Sequence, residues 1–107
     1  MLIHFHSKGI GLNESARDYI EKKIMNLKKY YNVGDDDTST ANIEISQNKE
    51  RSSNLVNISV RIIVSKKTFM SETKGVTVEE AIDLAHDKLK VQLQRYKERM
   101  KEENHGK

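Results

Sequence analysis

The stretch Val56-Asn-Ile-Ser-Val-Arg-Ile-Ile-Val64 sets the architecture of this 107-residue chain. Its apolar residues occupy every second position, which is the period of a strand with one buried face. Upstream, Ala41, Ile43 and Ile45 alternate with polar residues in the same way, and a polar loop over residues 47–54 separates the two runs. The two runs therefore predict a β-hairpin.

Two further strands flank this hairpin in the sequence. A turn at residues 65–67 leads into a weaker strand over residues 68–74, which ends at Gly75. At the start of the chain, residues 2–6 alternate as a short first strand. Gly9 and Gly11 then interrupt the pattern.

Two amphipathic helices complete the pattern. The first follows Asn13, a plausible N-cap, and its apolar residues recur at steps of three or four up to Tyr31. The second begins after Thr77, which has the spacing of a capping box with Glu80 in the first turn. Helical spacing then continues through Met100. The second helix is thus predicted to be the longer one.

The resulting order is β-α-β-β-β-α, which predicts an α+β fold with one four-stranded mixed sheet and two helices packed on one face. A right-handed crossover through the first helix makes the first two strands parallel and leaves the other pairs antiparallel. We expect residues 1–101 to form a single domain that binds the chain's partner. Residues 102–107 are predicted to be a short flexible tail.

The composition and motifs disfavour several classes of function. The chain has no cysteine, which excludes a disulfide scaffold and a zinc finger, and no apolar run approaches the roughly 18 residues of a membrane span. The N-terminus has no signal-peptide pattern, so we expect a cytoplasmic protein. No P-loop, dinucleotide-binding or nucleophile-elbow motif occurs, and we expect no catalysis, no cofactor and no small-molecule substrate.

Two clusters in the sequence contain residue types that can bind metal ions. His4 and His6 lie on the same side of the first strand, but no third ligand is identifiable, so exposed strand histidines are the favoured reading. The acidic run at residues 35–37 is not followed by a calcium-binding loop and is better read as an acidic turn. We expect no metal.

The charge is unevenly distributed along the chain. Nineteen Lys and Arg against 16 Asp and Glu give a net charge of only +3. In the second helix, four acids over residues 77–87 are followed by six bases and one acid over residues 88–101. Acids at a helix N-terminus and bases at its C-terminus complement the macrodipole by about 0.3–1 kcal/mol each. This lengthwise polarity therefore has a purely structural explanation.

The macrodipole does not explain why the bases also cluster sideways. At about 100° per residue, Lys88, Arg95 and Arg99 fall on one flank of the second helix, with Gln92 between them and the core. Such a stripe has the reach to contact several phosphates of a nucleic-acid backbone. The first helix adds further bases, among them Arg17, Lys22 and Lys23.

Two helices on one face of a sheet can present their bases in a joint groove. We therefore predict a basic groove between the helices, recognising the phosphates and shape of structured RNA rather than its sequence.

The helices also carry a resemblance to a known family. The first reads Asn13-Glu-Ser-Ala-Arg-Asp-Tyr-Ile-Glu-Lys-Lys-Ile24. The second contains Ala81-Ile-Asp, Asp87-Lys-Leu and Gln92-Leu, followed by Arg95-Tyr-Lys97. In this order, these motifs resemble the ribosome hibernation promoting factor family, which includes the ribosome-associated inhibitor A proteins.

The resemblance implies a β-α-β-β-β-α fold related to double-stranded RNA-binding domains. It also implies a translation inhibitor that binds the 30S subunit and the 70S ribosome through 16S ribosomal RNA. The implied position is near the decoding centre, where the protein blocks the tRNA sites and the mRNA path under stress or in stationary phase. The residues that match the family's contacts are Arg17, Lys23, Lys88 and Arg95, whereas Lys22, Gln92 and Arg99 are candidates from the basic flanks alone.

The chain resembles the short form of the family, without the added C-terminal dimerisation domain, and we expect a monomer in free solution. Two alternatives stay open. One is a general module for double-stranded RNA, and the other is a protein-interaction domain, as the family's older description as sigma modulation proteins suggests.

Overall fold

The computed structural model describes residues 1–31, 38–47 and 55–105, with side chains described only as far as residue 100. The strands and helices follow one another in the predicted order. They are β1 (Leu2–Lys8), α1 (Glu14–Asn26), a 3-10 helix (Leu27–Tyr30), β2 (Thr40–Gln47), β3 (Val56–Val64), β4 (Lys67–Gly75) and α2 (Val78–His105). The acidic run at residues 35–37 and most of the polar loop before β3 lie outside the described residues.

The four strands form one sheet in the order β1-β2-β3-β4. β1 pairs with β2 in parallel, and the other two pairs are antiparallel, as predicted. Phe5, Ile43 and Val60 lie opposite one another in this register. β1 and β4 are therefore the two edges of the sheet.

The core lies between the sheet and the helices. Alternate residues of β2 and β3 are buried, so the period of two seen in the sequence corresponds to a sheet with one covered face. Leu89 and Leu93 of α2 and Ile20 of α1 are fully buried against this face. Burying one such side chain stabilises the fold by roughly 1.5–3 kcal/mol. We call the other side of the sheet, which carries residues such as Lys8 and Arg61, the open face.

Local capping fixes where both helices start. The Asn13 side-chain oxygen accepts a hydrogen bond from the Ala16 backbone N–H at 2.8 Å. At α2, the Thr77 hydroxyl oxygen accepts from the Glu80 N–H at 3.1 Å. Both caps were predicted, and each satisfies a backbone donor that the first helical turn leaves unpaired.

The end of the first helix differs from the prediction. The periodicity indicated an α-helix as far as Tyr31, but the α-helix ends at Asn26 and a 3-10 turn follows. Tyr31 then adopts an extended conformation, is 5% exposed, and shares a hydrogen bond of 3.0 Å with the Ser39 hydroxyl. The tighter turn thus serves a contact with a residue beyond the helix.

One further boundary was wrong. Lys67 belongs to β4 rather than to the preceding turn, which consists of Ser65 and Lys66 with φ of 48° and 68°. These positive φ values match a two-residue type I′ hairpin turn built without glycine. At the other end, α2 continues to His105, and the short flexible tail over residues 102–107 stays a prediction. The domain boundary at residue 101 stays a prediction.

Candidate nucleic-acid interface

One flank of α2 lies along β4, the edge strand of the sheet. The Gln92 side-chain amide donates to the Met70 carbonyl at 2.8 Å, and the Lys88 ammonium donates to the Glu72 carbonyl at 3.4 Å. An edge strand leaves alternate carbonyls without a strand partner, and these two lie two residues apart. The flank therefore covers the edge of the sheet, which sets its orientation.

Arg95 and Arg99 continue this flank toward the C-terminus of α2, and both are exposed. With a rise of 1.5 Å per residue, the distance from Lys88 to Arg99 along the helix is about 16 Å. We define the α2 basic flank as Lys88, Gln92, Arg95 and Arg99. The structure brings these four predicted residues together, although the Gln92 side chain is hydrogen-bonded to the backbone of β4.

Arg17 lies at the opposite edge of the molecule. Its guanidinium carbon is 5.1 Å from the centre of the Phe5 ring on β1, a cation–π contact. Lys22 points away from the core and borders a cleft that also contains Glu14, Asp18 and Glu79. Neither side chain lies beside the α2 basic flank.

Lys23 lies between the helices, where it is bound to an acid of α2. Its ammonium is 3.2 Å from an Asp83 carboxylate oxygen, and the Tyr19 hydroxyl donates to that oxygen at 2.7 Å. The hydrogen bond to Asp83 raises the pKa of Lys23 and is also the main cause of the raised pKa of Tyr19. Burial acts to raise the pKa of Asp83, but the bonds from Tyr19 and Lys23 outweigh it and hold that pKa below its ordinary value.

Between the helices the structure places two groups of bases, and the joint basic groove stays a prediction. On α1, the charge of Lys23 is compensated by Asp83 of α2, whereas Arg17 lies against Phe5 of β1. Further along, in the 3-10 helix and in α2, two lysines lie over one tyrosine. The Lys29 and Lys90 ammonium groups are 5.2 and 5.5 Å from the centre of the Tyr30 ring. The predicted bases thus divide among four places, which are the α2 basic flank, the β1 edge at Arg17, the acidic cleft at Lys22 and the contact of Lys23 with Asp83.

A further basic side chain, which was not among the predicted site residues, lies beside the α2 basic flank. Lys67, the first residue of β4, lines the same cleft as Arg95 and Arg99. The consecutive lysines at residues 66 and 67, after a strand of strict alternation, were the available signal.

The structure also bears on other candidate chemistry. Among the described residues, no group of three or more His, Cys, Asp or Glu side chains is placed to hold a metal ion. In the same part of the chain, no helix is long and apolar enough to cross a membrane. His86 is 9% exposed and forms a 3.0 Å hydrogen bond with the Asn26 side chain, which gives it a place in the packing of the helices.

Comparison with solved structures supports the fold. The N-terminal domain of Protein Y from Thermus thermophilus superimposes with a TM-score of 0.75 at 23% identity, over 90% of this chain and 99% of that one. A ribosomal subunit interface protein from Coxiella burnetii gives a TM-score of 0.73 at 22% identity, over 91% and 98%. At these identities the likeness concerns the fold.

Sequence comparison identifies the family. A ribosome hibernation promotion factor from Lactococcus lactis subsp. cremoris (strain MG1363) is 28% identical over 101 residues, which are 92% of this chain and 52% of the relative. Its namesake from Staphylococcus aureus (strain COL) is 30% identical over 95 residues, 89% of this chain and 47% of the relative. The chain thus spans about half the length of these relatives. Residues 3–101 match the model of the family described as "Sigma 54 modulation protein / S30EA ribosomal protein", and the chain belongs to that family.

Proposed function

We propose that this protein is a ribosome hibernation factor that inhibits translation. It binds 16S ribosomal RNA of the small subunit near the decoding centre, in the cytoplasm, and blocks the tRNA and mRNA sites under stress or in stationary phase. The names of the relatives from Lactococcus lactis and Staphylococcus aureus support this proposal. So does the match of residues 3–101 to the family.

The observation that carries the proposal is the α2 basic flank. Lys88, Arg95 and Arg99 are exposed, and Lys88 donates a hydrogen bond to a backbone carbonyl, so these three side chains are accessible to phosphates. A row of cations about 16 Å long on one helix suits a nucleic-acid backbone, and it reads shape and charge rather than base edges. Inhibition by occlusion needs no chemical step.

The proposal can be tested by sedimentation through a sucrose gradient. We expect the wild-type protein to migrate with 30S and 70S particles from starved cells. The double variant Lys88→Glu/Arg95→Glu should remain largely at the top of the gradient, because reversing two charges replaces attraction to phosphates with repulsion.

A matched control reverses one lysine and one arginine on the open face, Lys8→Glu/Arg61→Glu. Both control positions are exposed and lie on the side of the sheet away from the helices. Circular dichroism should show that both double variants keep their fold. Wild-type protein that is absent from every ribosomal fraction would refute the proposed function, and equal binding by both double variants would refute the assignment to α2.

Binding measurements on the same protein distinguish two other functions from the proposed one. A general module for double-stranded RNA would bind arbitrary duplexes as tightly as ribosomes at equal salt, which a filter-binding comparison measures. The family description also names a sigma 54 modulation protein. A protein-interaction domain of that kind would bind neither ribosomes nor duplex RNA.

A further inference from the structure

A cleft of about 270 Å³ lies where the β3–β4 turn meets the C-terminal half of α2. Its walls come from the start of β4 and from the α2 basic flank. The lining residues are Lys67, Thr68, Phe69, Gln92, Arg95, Tyr96 and Arg99.

The floor of the cleft is aromatic. Phe69 is 8% exposed and packs edge to face against Tyr96, with ring centres 5.5 Å apart and ring planes at 70°. Tyr96 is half-buried, so its ring is held by Phe69 while part of it remains accessible at the cleft. An accessible aromatic ring that is fixed by packing is a surface on which a nucleobase can stack.

The rim of the cleft is cationic. Lys67, Arg95 and Arg99 are all exposed, and none of the residues that line the cleft is an acid. A neighbouring cleft beside Lys88, by contrast, is lined by Glu44 and Glu72 as well. The cleft at the turn therefore favours an anion.

The β3–β4 hairpin turn determines the position of Lys67, one of these cations. Ser65 and Lys66 occupy the two turn positions, and Lys67 pairs with Val64 as the first residue of β4. Residues of β4 at odd positions, such as Phe69 and Ser71, face the helices. Lys67 therefore faces α2, on the same side of the sheet as Arg99.

We infer that this cleft holds one unstacked nucleotide of a single-stranded RNA segment. The base stacks on Tyr96, and the adjoining phosphate lies between Lys67 and the guanidinium groups of Arg95 and Arg99. The Gln92 amide nitrogen donates to the Met70 carbonyl, and because every base has a face that can stack on a ring, we expect no strong base preference. This inference rests on the proposed function and adds to it a second class of RNA, single-stranded rather than helical, together with the contact residues Lys67 and Tyr96.

The test measures binding of a short fluorescein-labelled oligouridylate by fluorescence anisotropy. Tyr96→Leu removes the ring and should weaken binding at least about fivefold, the range for losing one stacked base. Tyr96→Phe keeps the ring and should bind like the wild type. Lys67→Glu should also weaken binding several-fold, whereas Lys8→Glu on the open face should not.

Lys67→Glu alters an exposed side chain, so it tests the site even if Tyr96→Leu loses its fold. Unlabelled uridine monophosphate serves as a competitor, and displacement of the oligonucleotide at equal concentrations would show a site for free nucleotides instead of RNA. The inference is also overturned if the wild-type protein does not bind the oligouridylate, or if Lys67→Glu binds it with the affinity of the wild type. Cosedimentation of the wild type with 30S particles, measured in parallel, reports on the proposed function separately.

Discussion

Gly75 joins the sheet to α2, and replacing it with alanine tests how α2 is positioned. A Cβ atom at this position would lie 2.7 Å from the Ala81 backbone nitrogen and 3.1 Å from both the Thr77 carbonyl oxygen and the Glu80 Cβ. The Ala81 N–H donates to the Thr77 carbonyl at 3.1 Å, so the new methyl group would press on the first hydrogen bond of α2. The fold leaves no room there for a side chain.

The cost follows from this geometry. Restoring an ordinary contact of 3.4 Å requires the start of α2 to retreat by about 0.7 Å. Movement is opposed by the Thr73 hydroxyl, which donates to the Ala81 carbonyl at 2.7 Å from within the core. Overpacking of this kind costs about 1–3 kcal/mol, so we expect Gly75→Ala to lower the free energy of unfolding by that amount.

Urea denaturation followed by circular dichroism measures the effect. Gly11→Ala is the matched control, because a Cβ there meets nothing within 4 Å and its backbone does not need a positive φ. The control should be neutral or stabilising by up to about 1 kcal/mol, since alanine restricts the unfolded chain. If the two variants unfold within about 0.5 kcal/mol of each other, our account of how β4 and α2 meet is wrong.

Two further predictions concern polar groups at the core and between the helices. Asp83→Asn should lower the free energy of unfolding at pH 7 by no more than about 1 kcal/mol, because Asp83 and Lys23 are both partly exposed. The folded-state pKa of Asp83 lies below its ordinary 3.8, so the wild-type advantage should be complete above pH 3.8 and should be lost as the pH falls from there through the folded-state pKa; an advantage that does not shrink below pH 3.8 would contradict this prediction. Ser71 is 6% exposed, and among the described residues its hydroxyl has no hydrogen-bond partner. Ser71→Ala should therefore raise the free energy of unfolding by up to about 1 kcal/mol in the same urea assay, and a loss of stability would reveal a partner for the hydroxyl.

The sequence predicted those features that depend on neighbours along the chain. Alternation over residues 56–64, the caps at Asn13 and Thr77, and the helical spacing of α2 are all local patterns, and the strand order follows from how such elements pack. The 3-10 turn before Tyr31 depends instead on Ser39, and the turn at Ser65 carries no glycine or asparagine to announce its positive φ. Neither could be read from a local pattern.

The candidate site could likewise be predicted only where it depends on residues close together in the sequence. The spacing of the bases placed the α2 basic flank on one side of the helix because that relation is internal to α2. The partners of the bases on α1 are set by packing, since Lys23 meets an acid sixty residues away and Arg17 meets β1. Which bases have their charge compensated by a neighbouring acid could therefore be decided only from the structure.

The chemical nature of each partner explains why the two helices contribute unequally to the electric field around the protein. Lys23 is bound to a carboxylate, and at physiological salt, where the screening length is about 8 Å, such a pair acts on a distant phosphate nearly as a neutral group. Lys88 is bound to a backbone carbonyl, which orients the ammonium group without cancelling its charge. Glu44 and Glu72 line the cleft beside Lys88, whereas no acid lines the cleft at Arg95 and Arg99, so the positive charge of the α2 basic flank is strongest at its C-terminal end. A chain with a net charge of only +3 can in this way present a strongly cationic surface in one direction.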